Sequence, residues 1–348
     1  MWPYWLMFLL TIPGVFSVRM VRSSNQRLAW FTLLVIFTAL IAWRHEVGGD
    51  WGSYIAHFNS MQYLSFEKVL SRGDPGYYLI NWIVFQLGGS IYWVNLFCAI
   101  LVMSGVNVFS RQQPLPWLAL LVATPYLLVV VAMGYSRQAA ALGLALIGLS
   151  ALGNQQTRRF VIWVLLGALF HKSAVLLLPL AALASTKNRM WSYFWVGITA
   201  VAGTYFLVLD SVDTLWTNYV EADYQSQGGL IRVLMNAVPA VFIIVFRNKL
   251  FYSLPERKLW MWMAILSLIM VPLVTVSSTA VDRVALYFIP IQLFVFARLP
   301  LLSKSSRDQQ LWVFGITFYY ALVLFVWLNY ASHAYVWLPY QNLLFLHL

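Results

Sequence analysis

Apolar residues in this chain come in runs long enough to cross a lipid bilayer, such as "LAWFTLLVIFTALIAW" (28–43) and "IYWVNLFCAILVMSGVNVF" (91–109). A stretch of about 17–25 apolar residues satisfies its own backbone as a helix and spans the hydrocarbon core. Repeated runs of this kind leave little room for a soluble fold. Composition agrees: 61% of the 348 residues are hydrophobic and 9% are charged, where soluble domains carry roughly 25% charged residues. The chain is therefore expected to be an all-α polytopic membrane protein forming one domain over 1–348. Its 17% aromatic content suits Trp and Tyr at the membrane interfaces. The single cysteine, Cys98 in "VNLFCAI", excludes an internal disulfide and any Cys-based metal site.

The net charge of +11 is read as topology and not as a sign of nucleic acid. The first run, 2–18, shows no cleavage pattern and has no basic residue ahead of it, while "RMVRSSNQR" follows it. By the positive-inside rule the N-terminus lies outside. Further spans are expected at 28–43, 91–109, 115–133, 135–152, 160–170, 173–184, 190–209, 230–246, 259–276, 284–299 and 311–329. That makes about twelve spans (range 10–13) and places both termini outside. The pair 160–170 and 173–184 is too short for two straight spans and reads as half-helices broken at "HKS", a form tolerated where it lines a cavity. The first large outer segment, 44–90, is expected to carry an interfacial helix over 76–88. The second outer segment is 210–229. This layout puts most basic residues inside, from Arg19, Arg22 and Arg27 to Lys187, Arg189, Lys304 and Arg307.

Seven basic residues oppose that rule: Arg44, Lys68, Arg72, Arg137, Lys172, Arg232 and Arg283. Arg137, Lys172, Arg232 and Arg283 each fall near the outer start of an inward-running helix, where the helix dipole disfavours a cation by about 0.3–1 kcal/mol. Residues that go against both topology and dipole point to an outward-facing anion site, although each of them also suits a snorkelling or loop-paired side chain. All acids fall in loops, so no mid-span carboxylate suggests proton coupling. No HExxH, DxD or EF-hand pattern and no glycine-rich phosphate loop occurs. No cofactor is expected, and no metal.

Three stretches carry the remaining chemistry. In "WRHEVGGDWGSY" (43–54), Gly48 and Gly49 permit a sharp return that brings Asp50 over the cavity mouth. Asp50 is a candidate general base or a helix cap. Arg44 either binds phosphate or pairs with Glu46, and Trp51 and Tyr54 either stack on a sugar or join the aromatic belt. In "LFHKSA", His171 is a structural hydrogen-bonder or an acid, base or phosphate ligand. In "SRGDPGYY", Arg72 and Asp74 flank a Pro-Gly turn, either as a local ion pair or as site residues.

Together, "VGGDWGSY", "GDPGYYLINW", "YSRQAAALGLAL", "LFHKSAVLLLP", "DRVALYFIPIQL" and "YVWLPYQN", in that order over about residues 40–342, resemble the EpsG-like branch of the Wzy-type bacterial polysaccharide polymerases. The resemblance implies a GT-C-like, metal-independent glycosyltransferase of the bacterial cytoplasmic membrane. Such an enzyme moves a growing glycan from undecaprenyl diphosphate to an incoming lipid-linked repeat unit at the outer leaflet. A chain-length regulator and a flippase of the same pathway are its implied partners. On this reading Asp50 and then His171 are the catalytic candidates. Arg137 and Arg283 lead the diphosphate ligands, followed by Arg44, Arg72, Lys172 and Arg232. Glu46, Trp51, Tyr54, Asp74, Tyr135, Gln138, Asp282, Tyr287 and Tyr340 are candidate substrate contacts. Two other classes stand as alternatives. An O-antigen ligase-like transferase would share the donor chemistry. A lipid-oligosaccharide flippase would need deep central cations and two similar halves, and no internal repeat is seen.

Overall fold

The computed structural model describes residues 1–17, 24–184 and 228–345, with positions 190, 194, 197, 198 and 201 between them. Arg19, Arg22, Lys187, Arg189, the span expected over 190–209 and most of the outer segment 210–229 lie outside the described residues. Within them the chain is helical apart from one pair of two-residue strands. The helices are α1 (Trp2–Ser17), α2 (Ser24–Ala42), α3 (Trp51–Asn59), α4 (Phe66–Leu70), α5 (Pro75–Gln86), α6 (Ile91–Arg111), α7 (Pro116–Ala123), α8 (Ser136–Gly153), α9 (Thr157–Ala168), α10 (Pro179–Ala184), α11 (Gly229–Val245), α12 (Leu254–Leu273), α13 (Ser278–Ala285), α14 (Pro290–Phe296) and α15 (Ser306–Tyr330). The strands are β1 (Arg44–His45) and β2 (Gln341–Asn342).

Local chemistry sets several boundaries. Pro75, Pro116 and Pro290 open α5, α7 and α14, where a missing N–H costs nothing. Ser253 and Glu256 open α12 in the Ser-x-x-Glu pattern. The Ser253 hydroxyl accepts from the Glu256 N–H, and the Glu256 carboxylate accepts from the Tyr252 N–H at 2.9 Å. Arg298 closes on the same carboxylate at 2.7 Å.

The core is α7, its π-helical continuation Thr124–Ala132, and α8. Every residue from Pro116 to Ala132 is buried. The alanine- and glycine-rich α8 lies against α6 at backbone contact: a Cβ on Gly105 would strike the Gly143 backbone, and one on Gly143 would strike Leu101 and Val102. Small residues permit such approach where lipid gives helices no hydrophobic reason to associate.

Among the described residues, α2, α6, α8 and α15 are long and apolar enough to cross a membrane. The pair Ser278–Phe288 and Pro290–Leu302, bent by 43°, makes a fifth if taken as one span. Shorter apolar helices occupy Trp2–Phe16, Pro116–Ala132, Lys172–Ala184 and Gly229–Val245. The expected single span at 284–299 is thus an angled set of pieces, because Pro290 and Pro300 each remove an N–H donor. The expected half-helices appear as α9 and a 3₁₀ turn (Lys172–Leu177) leading to α10, with the break at His171. The segment 44–90 is more built than a loop, carrying β1 and α3 to α5.

Contacts sort the helix termini into two groups. Val15, Leu115, Pro300 and Arg307 line one cavity of about 620 Å³, close to the Trp117 ring that packs on Gly14. At the opposite end Arg44, Asp74, Arg137, Lys172, Arg232 and Arg283 approach one another from different elements.

Candidate functional site

The cation-bearing end is pinned by the first and last motifs of the chain. β1 pairs antiparallel with β2, with Arg44 opposite Asn342 and His45 opposite Gln341. Gly48 adopts φ +102°, a Cβ there would strike Met133 and Gly134, and its N–H donates to the Val336 carbonyl at 2.8 Å. The turn after β1 therefore requires glycine at 48. Tyr340 belongs to this clamp: its hydroxyl donates to the Leu40 carbonyl at 2.7 Å and accepts from Asn342 at 2.8 Å.

Arg44 does not join a phosphate site. It is 1% exposed, donating to the Ile41 carbonyl at 2.7 Å and to Ser136 Oγ at 2.6 Å, with Asn95 Oδ1 at 3.5 Å. It locks α2 to the first turn of α8. Glu46 is exposed and faces His45 at 4.0 Å instead of pairing with Arg44.

The other cations converge. α8 begins at Ser136, so Arg137 stands in its first turn, bound to Asp74 at 2.8 Å with the Tyr54 and Tyr77 rings 5.9 and 5.7 Å away. The other Asp74 oxygen accepts from the Lys172 N–H at 3.3 Å. Burial pushes the Asp74 carboxyl up, and Arg137 and Lys172 pull it back towards the charged form. Asp74 pairs across the fold and not with Arg72, which sits over the Tyr78 ring at 5.2 Å. Arg232 binds Asp282 at 2.6 Å. Arg283 pairs with no carboxylate among the described residues; its guanidinium lies 5.2 Å above the Tyr135 ring, and its carbonyl accepts from Gln138 at 2.9 Å. His171 lies amid this charge. Burial, then Arg137, Arg283 and Lys172, lower its pKa to about 3. It is neutral at neutral pH, and its Nδ1 is buried without a hydrogen-bond partner among the described residues.

The structure thus brings together Asp74, Tyr135, Arg137, Gln138, His171, Lys172, Arg232, Asp282 and Arg283. Tyr287 joins through Ser173, whose hydroxyl donates to it at 3.2 Å. Asp50 sits at the rim, half-buried, with the Tyr54 hydroxyl 3.4 Å from its carboxylate and Tyr135 within its field. It makes no side-chain cap on α3. Tyr54 is buried behind Asp50 and Arg137, and Trp51 is half-buried against His45 and Tyr92. Asp74 and Asp282 are buried and hold Arg137 and Arg232.

Sequence reasoning missed the supporting residues. Asn95 and Ser136 hold Arg44. A chain of buried bonds runs from the Tyr320 hydroxyl to Gln292 (2.7 Å), from Gln292 to Asn236 (2.7 Å), and from Asn236 to the Ala285 carbonyl (2.8 Å). It fixes the bend between α13 and α14, from which Arg283 and Tyr287 project. Polar residues within apolar runs were the available signal, since lipid-embedded amides need partners.

Among the described residues, Arg137, Lys172, Arg232 and Arg283 gather with Asp74 and Asp282, and such cations at the start of an 18-residue helix can bind a polyanion such as a diphosphate. Among the described residues no three of His, Cys, Asp and Glu gather. No curated protein and no solved structure matches the chain. The sequence profile of the EpsG family, in contrast, matches residues 27–342. The fold is that of a helical membrane protein, its cation-bearing end carries the motifs that resemble the family, and the match covers nearly the whole chain: it belongs to the EpsG family, whose members resemble polysaccharide polymerases.

Proposed function

We propose that the protein is a polysaccharide polymerase, a glycosyltransferase acting at the outer face of the bacterial cytoplasmic membrane. It transfers the growing O-antigen or exopolysaccharide chain from undecaprenyl diphosphate to the terminal sugar of an incoming lipid-linked repeat unit. The fold is GT-C-like with about twelve spans, and both termini are extracytoplasmic.

One observation carries this reading. Arg137, Lys172, Arg232 and Arg283 come from four separate elements to one end of the bundle, where, among the described residues, Asp74 and Asp282 answer Arg137 and Arg232. In the reaction the acceptor hydroxyl attacks the anomeric carbon. The bond from that carbon to the diphosphate oxygen breaks, and the diphosphate leaves with the electron pair. Guanidinium and ammonium groups fixed in advance stabilise the developing charge without rearranging. Asp50, at the rim beside Tyr54 and Tyr135, takes the hydroxyl proton. Neutral His171 contributes a hydrogen bond within the same cluster. The diphosphate is already a good leaving group, so the mechanism needs no metal.

The test is to mix the purified protein with its cognate lipid-diphosphate repeat unit and no other enzyme. A ladder of repeat multiples supports polymerisation. Movement of substrate between leaflets with no ladder overturns it in favour of transport. A single transfer to a foreign acceptor indicates a ligase.

A further inference from the structure

Adjoining Asp50 through Trp51 lies a group of side chains that the diphosphate chemistry leaves unused. His45, Trp51 and Tyr92 are all half-buried and mutually close. The ring centroids stand 5.7 Å apart for His45 and Trp51, 6.2 Å for His45 and Tyr92, and 6.0 Å for Trp51 and Tyr92. His45 Nδ1 and the Tyr92 hydroxyl share a 2.6 Å hydrogen bond, so these two rings do not turn independently. Glu46, with 64% of its side chain exposed, lies 4.0 Å from His45 Nε2, and its charge acts on Tyr92. The backbone under the group is fixed. His45 is in β1, Glu46 adopts φ 52° in the left-handed region, and Gly48 is bonded to Val336. A glutamate rarely takes that conformation, and such strain gathers where a side chain must be aimed.

We infer that His45, Trp51, Tyr92 and Glu46 form a glycan-binding subsite that holds sugars of the incoming acceptor repeat unit beyond the one that reacts. The chemistry is that of a pyranose. Its C–H face packs on an aromatic ring, and its ring-edge hydroxyls donate to a carboxylate and to the imidazole. Position supports the acceptor side. Trp51 follows Asp50 in the chain, and Asp50 in turn is near Tyr135, under Arg283. A glycan whose terminal hydroxyl meets Asp50 while the donor diphosphate lies on the cations extends over Trp51. The four residues would then contribute affinity that grows with acceptor length, separate from the phosphate site. This deepens the polymerase reading and rests on it for the direction of the chain, but glycan binding is measurable without turnover.

The probe is a series of lipid-free oligosaccharides from a single terminal sugar to one complete repeat, released by partial hydrolysis of the polysaccharide made by the cell that carries this gene. Binding to the protein in nanodiscs is followed by saturation-transfer NMR and calorimetry. Wild type should bind with affinity rising from a single sugar to one complete repeat. Trp51→Ala and Tyr92→Ala should each weaken the longer ligands by about fivefold or more. Trp51→Phe should recover most of the loss, and Glu46→Gln, at an exposed position, should weaken binding with the fold intact. Arg283→Ala should leave this affinity unchanged. Unaltered binding by Trp51→Ala and Glu46→Gln, or no binding by wild type, overturns the subsite. Glycan binding with these dependences but no ladder in the polymerisation assay retains the subsite and removes the polymerase reading. A ladder whose length distribution ignores Trp51 and Glu46 does the reverse.

Discussion

Arg283 and Arg137 are distinguished by what surrounds them. Gln138 holds the Arg283 carbonyl and not its side chain, so the backbone keeps its place when the side chain changes. Arg283→Lys should therefore lower the polymerisation rate about 10–100-fold with little change in thermal stability, because lysine cannot bind two oxygens in one plane. Arg137 is different, since its partner Asp74 is buried. Arg137→Ala leaves a buried carboxylate uncompensated and should cost about 3 kcal/mol of stability. Arg137→Ala with Asp74→Ala should regain most of that stability but no activity; a double-mutant cycle on unfolding separates the two effects. His171 adds a pH signature. Its pKa is about 3 in the folded protein against 6.5 when unperturbed, so the unfolded chain takes up the proton first. Its contribution to stability is complete above about pH 6.5 and declines as pH falls towards 3. His171→Asn should flatten that part of the acid-unfolding curve. Inorganic pyrophosphate, by neutralising the cations around the ring, should raise the imidazole pKa seen by NMR.

At the scale of elements, the close crossing of α6 and α8 makes the site rigid. α8 carries Ser136, Arg137 and Gln138 in its first turn, just after Tyr135, so any shift of this helix moves Arg137. Gly143→Val places a branched side chain against the backbone at Leu101 and Val102 and should lower stability by about 2 kcal/mol or more. Gly153→Ala, where a Cβ meets nothing within 4 Å, serves as the control, and unfolding in detergent measures both. The bend between α13 and α14 is a second device of this kind, held by Tyr320, Gln292 and Asn236. The break after α9 was readable from "HKS" because the apolar segments on either side are short. The bend at Pro290 was less so, since "ALYFIPIQLF" reads as one apolar run and only the missing donor interrupts it.

For the whole molecule, charge placement predicts which end faces out. Glu46 and Lys304 lie at opposite ends and are exposed, whereas the native Cys98 is buried and will not react. A membrane-impermeant maleimide added to intact cells should label Glu46→Cys at once and Lys304→Cys only after permeabilisation. The opposite pattern would place the cation cluster in the cytosol. By itself the sequence determined the membrane class, the helix-breaking motifs and the short list of cations that defy the topology. These depend on composition and local spacing, which a linear reading retains. Tertiary structure alone decided which cations remain available to a ligand. Arg44 and Arg283 look alike in sequence, yet one is enclosed by Ile41, Asn95 and Ser136 while the other stands over Tyr135. The difference arises from partners up to about a hundred residues away or more, brought near only when helices pack, and no local pattern encodes that proximity.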